Sequence, residues 1–140
     1  MFGLFKSKTQ IRKHKHLINL VALAKSDGRV DAKEIELLAK IATQNGIAPK
    51  AFKAILDTSE TIDIDVSNNK TQRISQLFDF IQMMLVDDEV SESEKTLCIN
   101  IAKKMQFKEE IINDLVNTIM KRIKNGESKE TVCNALEYAL

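Results

Sequence analysis

An internal repeat is the sequence feature that most constrains how this chain can fold. Shifting the sequence against itself by 60 positions places Asp27 on Asp87 and aligns residues 20–47 with residues 80–107 without a gap. The identical pairs are Asp27/Asp87, Val30/Val90, Glu34/Glu94, Leu37/Leu97, Ile41/Ile101 and Ala42/Ala102. The apolar positions also keep register, so the pattern indicates one helical unit built twice.

Each copy is predicted to contain a helix, a tight turn, a second helix and a third helix. In the first copy an apolar segment over residues 11–26 stops at Asp27-Gly28, where glycine suits the left-handed end of a helix. A second helix is predicted over residues 32–45, ended by Gly46. Pro49 then fits the first turn of a third helix.

The second copy predicts helices over about 69–86, 92–105 and 108–124, and a final helix over about 128–140. The segment between the copies, residues 57–69, has no helical period. Ile62, Ile64 and Val66 alternate in it as in a strand, but a lone strand has no partner. We therefore predict an extended connector with its apolar side chains turned onto the helices.

Composition supports an all-α fold. The chain of 140 residues has one Pro and four Gly, and it is 44% hydrophobic and 29% charged. Such a chain favours helices over turn-rich β architecture. We predict a tail over residues 1–10 and one domain over residues 11–140. That domain is a compact bundle of about seven helices in two related halves, about 11–57 and 69–124, with the final helix at about 128–140.

The acidic turns at residues 27–34 and 87–94 have a structural interpretation. Asp31 with Glu34, and Ser91 with Glu94, fit a cap residue followed three positions later by Glu, so each Glu can reach back to a backbone N–H. Capping does not account for Asp27, because an acid just after a helix meets the unfavourable end of the helix dipole. Asp87 has the same position, and a solvated turn with a local backbone bond is the simple alternative for both.

Metal binding is the functional interpretation of these turns. The candidate ligands are Asp27, Glu34, Asp87 and Glu94, with Asp31, Asp88 and Glu89 as possible additions. Their hard oxygen atoms suit Ca²⁺ or Mg²⁺ better than Zn²⁺. An EF-hand is excluded, because counting from Asp27 puts Ala32 where glycine is needed and Leu38 where a bidentate Glu is needed.

No arrangement of residues predicts an enzyme. The chain lacks nucleotide-binding, serine-hydrolase and zinc-protease motifs, so no catalytic residue is assigned. His14 and His16 lie among like charges and are predicted to be surface residues. Cys98 and Cys133 fall in helical patterns without a C-x-x-C spacing, which suits buried, reduced thiols in a cytoplasmic protein.

The charge pattern bears on partners. A formal net charge of +1 is low for a nucleic-acid-binding domain, so nucleic acid is not expected as a ligand. The basic N-terminal segment carries Phe2, Leu4 and Phe5 and has two interpretations, a solvated tail or a peripheral contact with an anionic membrane or a protein. The apolar run before Ala24 resembles a secretory signal, but its counterpart at residues 78–86 favours a core helix for both.

The repeated D-G-x-V-x-x-x-E turn resembles the TerB family of tellurite-resistance proteins and the related N-terminal domain of DjlA-type co-chaperones. The resemblance covers residues 11–140, although Asp88 replaces the turn glycine in the second copy. It implies an all-α bacterial cytoplasmic module of about seven helices that acts in stress responses through protein contacts. It also implies metal binding at Asp27, Glu34, Asp87 and Glu94. No His-Pro-Asp tripeptide is present, so a J domain is not expected.

Overall fold

Seven helices account for the part of the chain that the computed structural model describes, namely residues 7–26, 28, 30–57, 61–86 and 90–140. No strand occurs in these residues, which confirms the predicted all-α class. The helices are α1 (Lys8–Lys25), α2 (Ala32–Gln44), α3 (Pro49–Leu56), α4 (Lys70–Leu85), α5 (Glu92–Lys104), α6 (Glu109–Lys124) and α7 (Lys129–Ala139).

The helix boundaries follow the 60-residue repeat. α1 ends at Lys25 and α4 at Leu85, while α2 over residues 32–44 has the bounds of α5 shifted by the same 60 positions. α3 begins at residue 49 and α6 at residue 109, although α6 continues for two more turns. The repeat therefore specifies not only apolar positions but also where each helix starts and stops.

The second helix of each half ends in the same left-handed turn. Gly46 has φ 70°, and the N–H groups of Gly46 and Ile47 donate to the carbonyls of Thr43 and Ala42. In the second half Gln106 has φ 66°, and the N–H of Gln106 donates to Lys103 O while the N–H of Phe107 donates to Ala102 O. These paired bonds form the Schellman motif, which satisfies the last carbonyls of a helix. A glutamine thus adopts a backbone conformation that normally favours glycine.

The first of two compact units spans residues 1–65. In it α1 packs against α2 and α3, and α2 packs against α3. Leu17 and Leu20 of α1 and Leu38 of α2 have no exposed surface. Residues 61–65 of the connector have no regular structure. Ile62 and Ile64 are half-buried while Asp63 is exposed, as the alternating pattern predicts.

The second unit spans residues 66–140, so the boundary between the units lies inside the predicted connector. α4 packs against α5, α6 and α7, and α5 packs against α6. From residue 77 to residue 85 of α4 all side chains except the half-buried Gln82 are buried. This all-round burial follows from three helices lying around one.

α1 begins at Lys8, because the Ser7 hydroxyl accepts from the N–H of Gln10 and the Gln10 side chain accepts from the N–H of Ser7. One expectation about this helix needs correction. His16 is not a surface residue, since only 8% of it is exposed. His14 is half-buried, and its Nδ1 lies 2.9 Å from Gln10 O. No helix among the described residues is long and apolar enough to cross a membrane.

Candidate functional site

Four of the seven predicted metal ligands, Asp27, Asp87, Asp88 and Glu89, lie outside the described residues. The framework of both turns is described on either side of them. The first turn follows the Ser26 cap of α1 and contains Gly28 at φ 107°, which confirms the predicted left-handed glycine. The second turn follows Val86, which caps α4.

In the first turn, Asp31 and Glu34 form the predicted capping box. Asp31 Oδ1 accepts from the N–H of Glu34 at 2.9 Å, and Glu34 Oε1 accepts from the N–H of Asp31 at 3.2 Å. Only 6% of Glu34 is exposed. The two carboxylates thus satisfy two N–H groups that the first turn of α2 leaves without helical partners.

The second turn repeats this arrangement with a serine as the cap. Ser91 Oγ accepts from the N–H of Glu94 at 3.1 Å. Glu94 Oε1 accepts from the N–H of Ser91 at 3.2 Å and from its hydroxyl at 3.0 Å. Glu94 is half-buried rather than buried. Both glutamates therefore have a folding role, and both lie at the positive end of a helix dipole, where a negative charge is stabilised.

The described ligands alone do not assemble a metal centre. Among the residues that the structure describes, no three His, Cys, Asp or Glu side chains form a group that could hold a metal ion. The described candidate ligands lie in two separate capping boxes. Asp31 and Glu34 form the box at the start of α2, and Glu94 belongs to the box at the start of α5. A cation at either turn would therefore depend on the candidate ligands outside the described residues, Asp27, Asp87, Asp88 and Glu89.

Among the buried polar side chains that were not predicted, Asn19 on α1 and Asp79 on α4 form a pair. They occupy the same position of the 60-residue repeat, and only 4% of Asn19 and 2% of Asp79 are exposed. Both interrupt an apolar run, which is the signal in the sequence that would have found them. Because a buried polar group is costly without a partner, each is expected to hold a neighbouring segment.

Asn19 holds the connector. Its amide donates to Asp63 O at 3.0 Å, and its side-chain oxygen accepts from the N–H of Asp63 at 2.9 Å. Two ion pairs extend this contact, Lys15 Nζ with Asp63 Oδ2 at 3.1 Å and Arg12 Nε with Asp65 Oδ2 at 4.0 Å. Arg12, Lys15 and Asn19 share one face of α1 because they are three and four residues apart. The connector is thus fixed by its backbone and not only by its apolar side chains.

Asp79 holds the start of α7. Its Oδ1 lies 2.8 Å from Lys129 Nζ, and the Lys129 side chain is about one-third exposed, at 31%. A second bond joins the same two helices, from the Thr71 hydroxyl on α4 to Glu137 Oε1 on α7, at 2.9 Å. Asn19 and Asp79, which occupy equivalent positions in the two halves, therefore each bind the segment that follows the third helix of their half.

The two cysteines are free and buried, as predicted. Burial, with a smaller contribution from Glu94, raises the pKa of the Cys98 thiol from 9.0 to about 12. Burial also raises the pKa of the Cys133 thiol; Asp79 and Glu137 raise it further, and Lys129 opposes them. A thiol that acts as a nucleophile or a metal ligand usually has a lowered pKa, because the thiolate is the reactive form. The pKa values of Cys98 and Cys133 are raised instead.

Comparison with known proteins adds no identification. No protein-family model matches the chain, and no curated protein or solved structure is significantly similar to it. The resemblance of the acidic turns to the TerB family therefore stays a prediction, and function is argued from the residues themselves.

Proposed function

We propose that this chain is a non-enzymatic, TerB-like helical module of the bacterial cytoplasm that acts in a stress response through contacts with other proteins. Each acidic turn binds a divalent cation weakly, Ca²⁺ or Mg²⁺ in preference to Zn²⁺. One observation supports this proposal most: the helix ends on either side of the two turns are related by the 60-residue shift. The first turn runs from residue 25 to 32 and the second from residue 85 to 92.

The repeated turns support the proposal of cation binding because their acids fall into two groups, those that cap a helix and those that do not. Asp31 and Glu34 are engaged in capping α2, and Glu94 in capping α5. Asp27 and Asp87 follow the ends of α1 and α4, where the helix dipole disfavours an acid. A cation offsets that disfavoured charge and draws on an acid-rich turn with hard oxygen atoms.

Calorimetric and thermal titration with Ca²⁺, Mg²⁺ and Zn²⁺ tests the cation. For a Kd of ~1 mM, ~10 mM metal stabilises the folded state by about 1.4 kcal/mol. The variant Asp27→Asn with Asp87→Asn is expected to lose this stabilisation. The matched control is Glu36→Gln with Asp114→Asn, which removes one exposed acid from each half and should bind like the original protein. If metal stabilises the two variants equally, the proposal of cation binding is wrong.

A second pair of substitutions separates ligand from cap. Glu34→Gln with Glu94→Gln retains both capping boxes, because glutamine also bonds back to the cap residue, but removes the two charges. In metal-free buffer this variant loses only the favourable interaction of the two charges with their helix dipoles. If the glutamates bind metal, it also loses metal stabilisation. If it keeps full metal stabilisation, Glu34 and Glu94 are caps and not ligands.

The alternative function is an adaptor that contacts proteins or a membrane, with acidic turns that only cap helices. The capping boxes favour it, because they assign Asp31, Glu34 and Glu94 a complete role in folding. Its membrane form depends on the apolar and basic N-terminal segment. In that case the full chain should sediment with phosphatidylserine vesicles. A chain that begins at Ser7, which keeps the cap of α1, should stay in the supernatant. Equal sedimentation of both chains excludes membrane contact through this segment.

A further inference from the structure

One face of α1 carries the polar contacts that hold the connector. We call this face the α1 stripe; its residues share one side of the helix because they are three or four positions apart, and they are Lys8, Ile11, Arg12, Lys15 and Asn19. Asn19 is buried, and exposure increases from there towards the first turn of the helix. α1 contains no aspartate or glutamate, so the stripe is basic without an acid of its own helix beside it.

Asn19 binds the connector through its backbone and not through a side chain. The Asn19 amide donates to Asp63 O at 3.0 Å, and its Oδ1 accepts from the N–H of Asp63 at 2.9 Å. Every residue except proline carries both of these backbone groups. Backbone bonds of this kind give affinity for an extended segment, while the neighbouring side chains give specificity. The Asn19 contact therefore suits another extended segment as well as the connector.

The connector shows which side-chain pattern the α1 stripe accepts. Asp63 pairs with Lys15 at 3.1 Å and Asp65 pairs with Arg12 at 4.0 Å, so the segment runs towards the N-terminal end of α1. The isoleucines that alternate with these acids are half-buried. The stripe thus accepts an extended segment in which acidic and apolar residues alternate.

The connector is held less firmly than the helices of its unit. Among the described residues, no backbone–backbone hydrogen bond involves residues 61–65. The side chains of Asp63 and Asp65 are 77% and 51% exposed in their ion pairs, and such surface pairs contribute little. Leu17 of α1 and Leu38 of α2, by contrast, have no exposed surface. Displacing the connector therefore breaks only contacts that a similar segment restores.

Lys8 and Ile11 extend the α1 stripe beyond the ion pair of Arg12. Lys8 is exposed, and 52% of Ile11 is exposed. Lys8 lies roughly 6 Å along the helix axis from Arg12, and alternate residues of an extended segment are roughly 6.6 Å apart. A segment that continues the pattern of the connector would therefore place its next acid at Lys8 and an apolar side chain at Ile11.

We propose that the α1 stripe is a docking surface for an extended segment of a partner protein, in which acidic and apolar residues alternate, and that this segment displaces the connector. The inference rests on the proposed function, because it names the surface for its protein contacts. The connector acts as an intramolecular competitor, which the partner overcomes through its added contacts with Lys8 and Ile11. A protein segment is favoured over an anionic membrane, because Asn19 binds a peptide N–H and C=O together.

The synthetic peptide T-I-D-I-D-I-D-V tests the surface on the full chain, in buffer that contains EDTA. Without metal, this test is independent of the cation titration, so either proposal can fail alone. A peptide with asparagine in place of each aspartate should bind at least ~5-fold more weakly, because three surface ion pairs are lost. Bound peptide should also speed hydrogen exchange at the Asp63 amide, which loses its bond to Asn19.

Three results of this titration would overturn the proposal. One is the absence of binding at ~5 mM peptide, a concentration that matches the effective concentration of a short tethered competitor. Another is binding with unchanged exchange at the Asp63 amide, because the peptide would then lie elsewhere. The third is sedimentation with phosphatidylserine vesicles by a chain that does not bind the peptide, which would assign the stripe to a membrane.

Substitution of Lys8 tests the part of the stripe that the connector does not use. Lys8→Glu should weaken peptide binding at least ~3-fold, because it reverses one charge of a surface pair. Lys40→Glu is the matched control, since Lys40 is an exposed lysine of α2, and should stay within about 2-fold of the original affinity. Equal affinities of these two variants would contradict the proposal.

Substitution in the connector tests the competition. Asp63→Asn with Asp65→Asn removes both ion pairs of the competitor and should strengthen peptide binding about 3- to 10-fold. Glu36→Gln with Asp114→Asn makes the same change in net charge at exposed acids and should leave the affinity within about 2-fold. If the two variants bind the peptide equally well, the connector does not compete and the proposal is wrong.

Discussion

Gly46 and Gln106 occupy equivalent positions in the two halves. Exchanging glycine and glutamine at these positions should therefore change the free energy of unfolding in opposite directions. Both residues end the second helix of a half in a left-handed conformation, with φ 70° and φ 66°. A side chain in that conformation costs about 1–2 kcal/mol. Glycine avoids this cost but loses about 0.4–1 kcal/mol through the greater freedom of the unfolded chain. Gln106→Gly should therefore stabilise the protein by about 0.5–1 kcal/mol.

The reciprocal change, Gly46→Gln, should destabilise by about the same amount. A Cβ at position 46 meets no atom within 4 Å, so backbone strain is the only cost and no clash adds to it. The double exchange keeps the amino-acid composition and should return the free energy of unfolding to within about 0.5 kcal/mol of the original value, because distant sites add. Urea denaturation at constant m-value measures all three proteins. A destabilising Gln106→Gly would refute the inferred equivalence of the two turns.

Three further predictions follow from the buried and capping groups. Asn19→Ala should cost about 1–3 kcal/mol, for two hydrogen bonds, and should speed hydrogen exchange at the Asp63 amide; unchanged exchange there argues against the connector contact. Asp31→Ala and Ser91→Ala should each lower the free energy of unfolding by about 1 kcal/mol in urea, whereas a loss at only one position would contradict equivalent caps. The pKa of Cys98 is raised in the folded state, so its contribution to stability is complete below pH 9.0 and falls as the pH rises towards about 12. From pH 9 to pH 10 the protein should lose about 1 kcal/mol relative to Cys98→Val, and parallel pH profiles would exclude this burial effect.

Helix positions were largely predictable because their signals are local. Gly28 and Gly46 end helices, and Asp31 and Ser91 begin them, each through a few neighbouring residues. The 60-residue repeat then gives independent support, because a boundary read in one half predicts its counterpart in the other. Gln106 shows the limit, since the repeat and not its residue type marks the left-handed turn.

Long-range contacts were less predictable because they depend on the fold. His16 is buried although its neighbours in sequence are charged. Asn19 binds a backbone 44 residues away, and Asp79 pairs with a lysine in the last helix. Their positions inside apolar runs signal a special role, but only the packing of helices identifies the partner. Of the candidate site, the capping of Glu34 and Glu94 was predictable, whereas cation binding rests on acids that lie outside the described residues.

The central claim is that both acidic turns bind a divalent cation, and amide NMR shifts during a titration with Ca²⁺ or Mg²⁺ test it most directly. The repeat predicts shifts confined to residues 26–34 and 86–94, in both turns, with Gly28, Val30 and Val90 as internal reporters. Amides near Asp63 and Asp65 serve as the control, because these exposed acids already pair with lysine and arginine. Absence of shifts at ~10 mM metal, or shifts spread evenly over exposed acids, would contradict the claim.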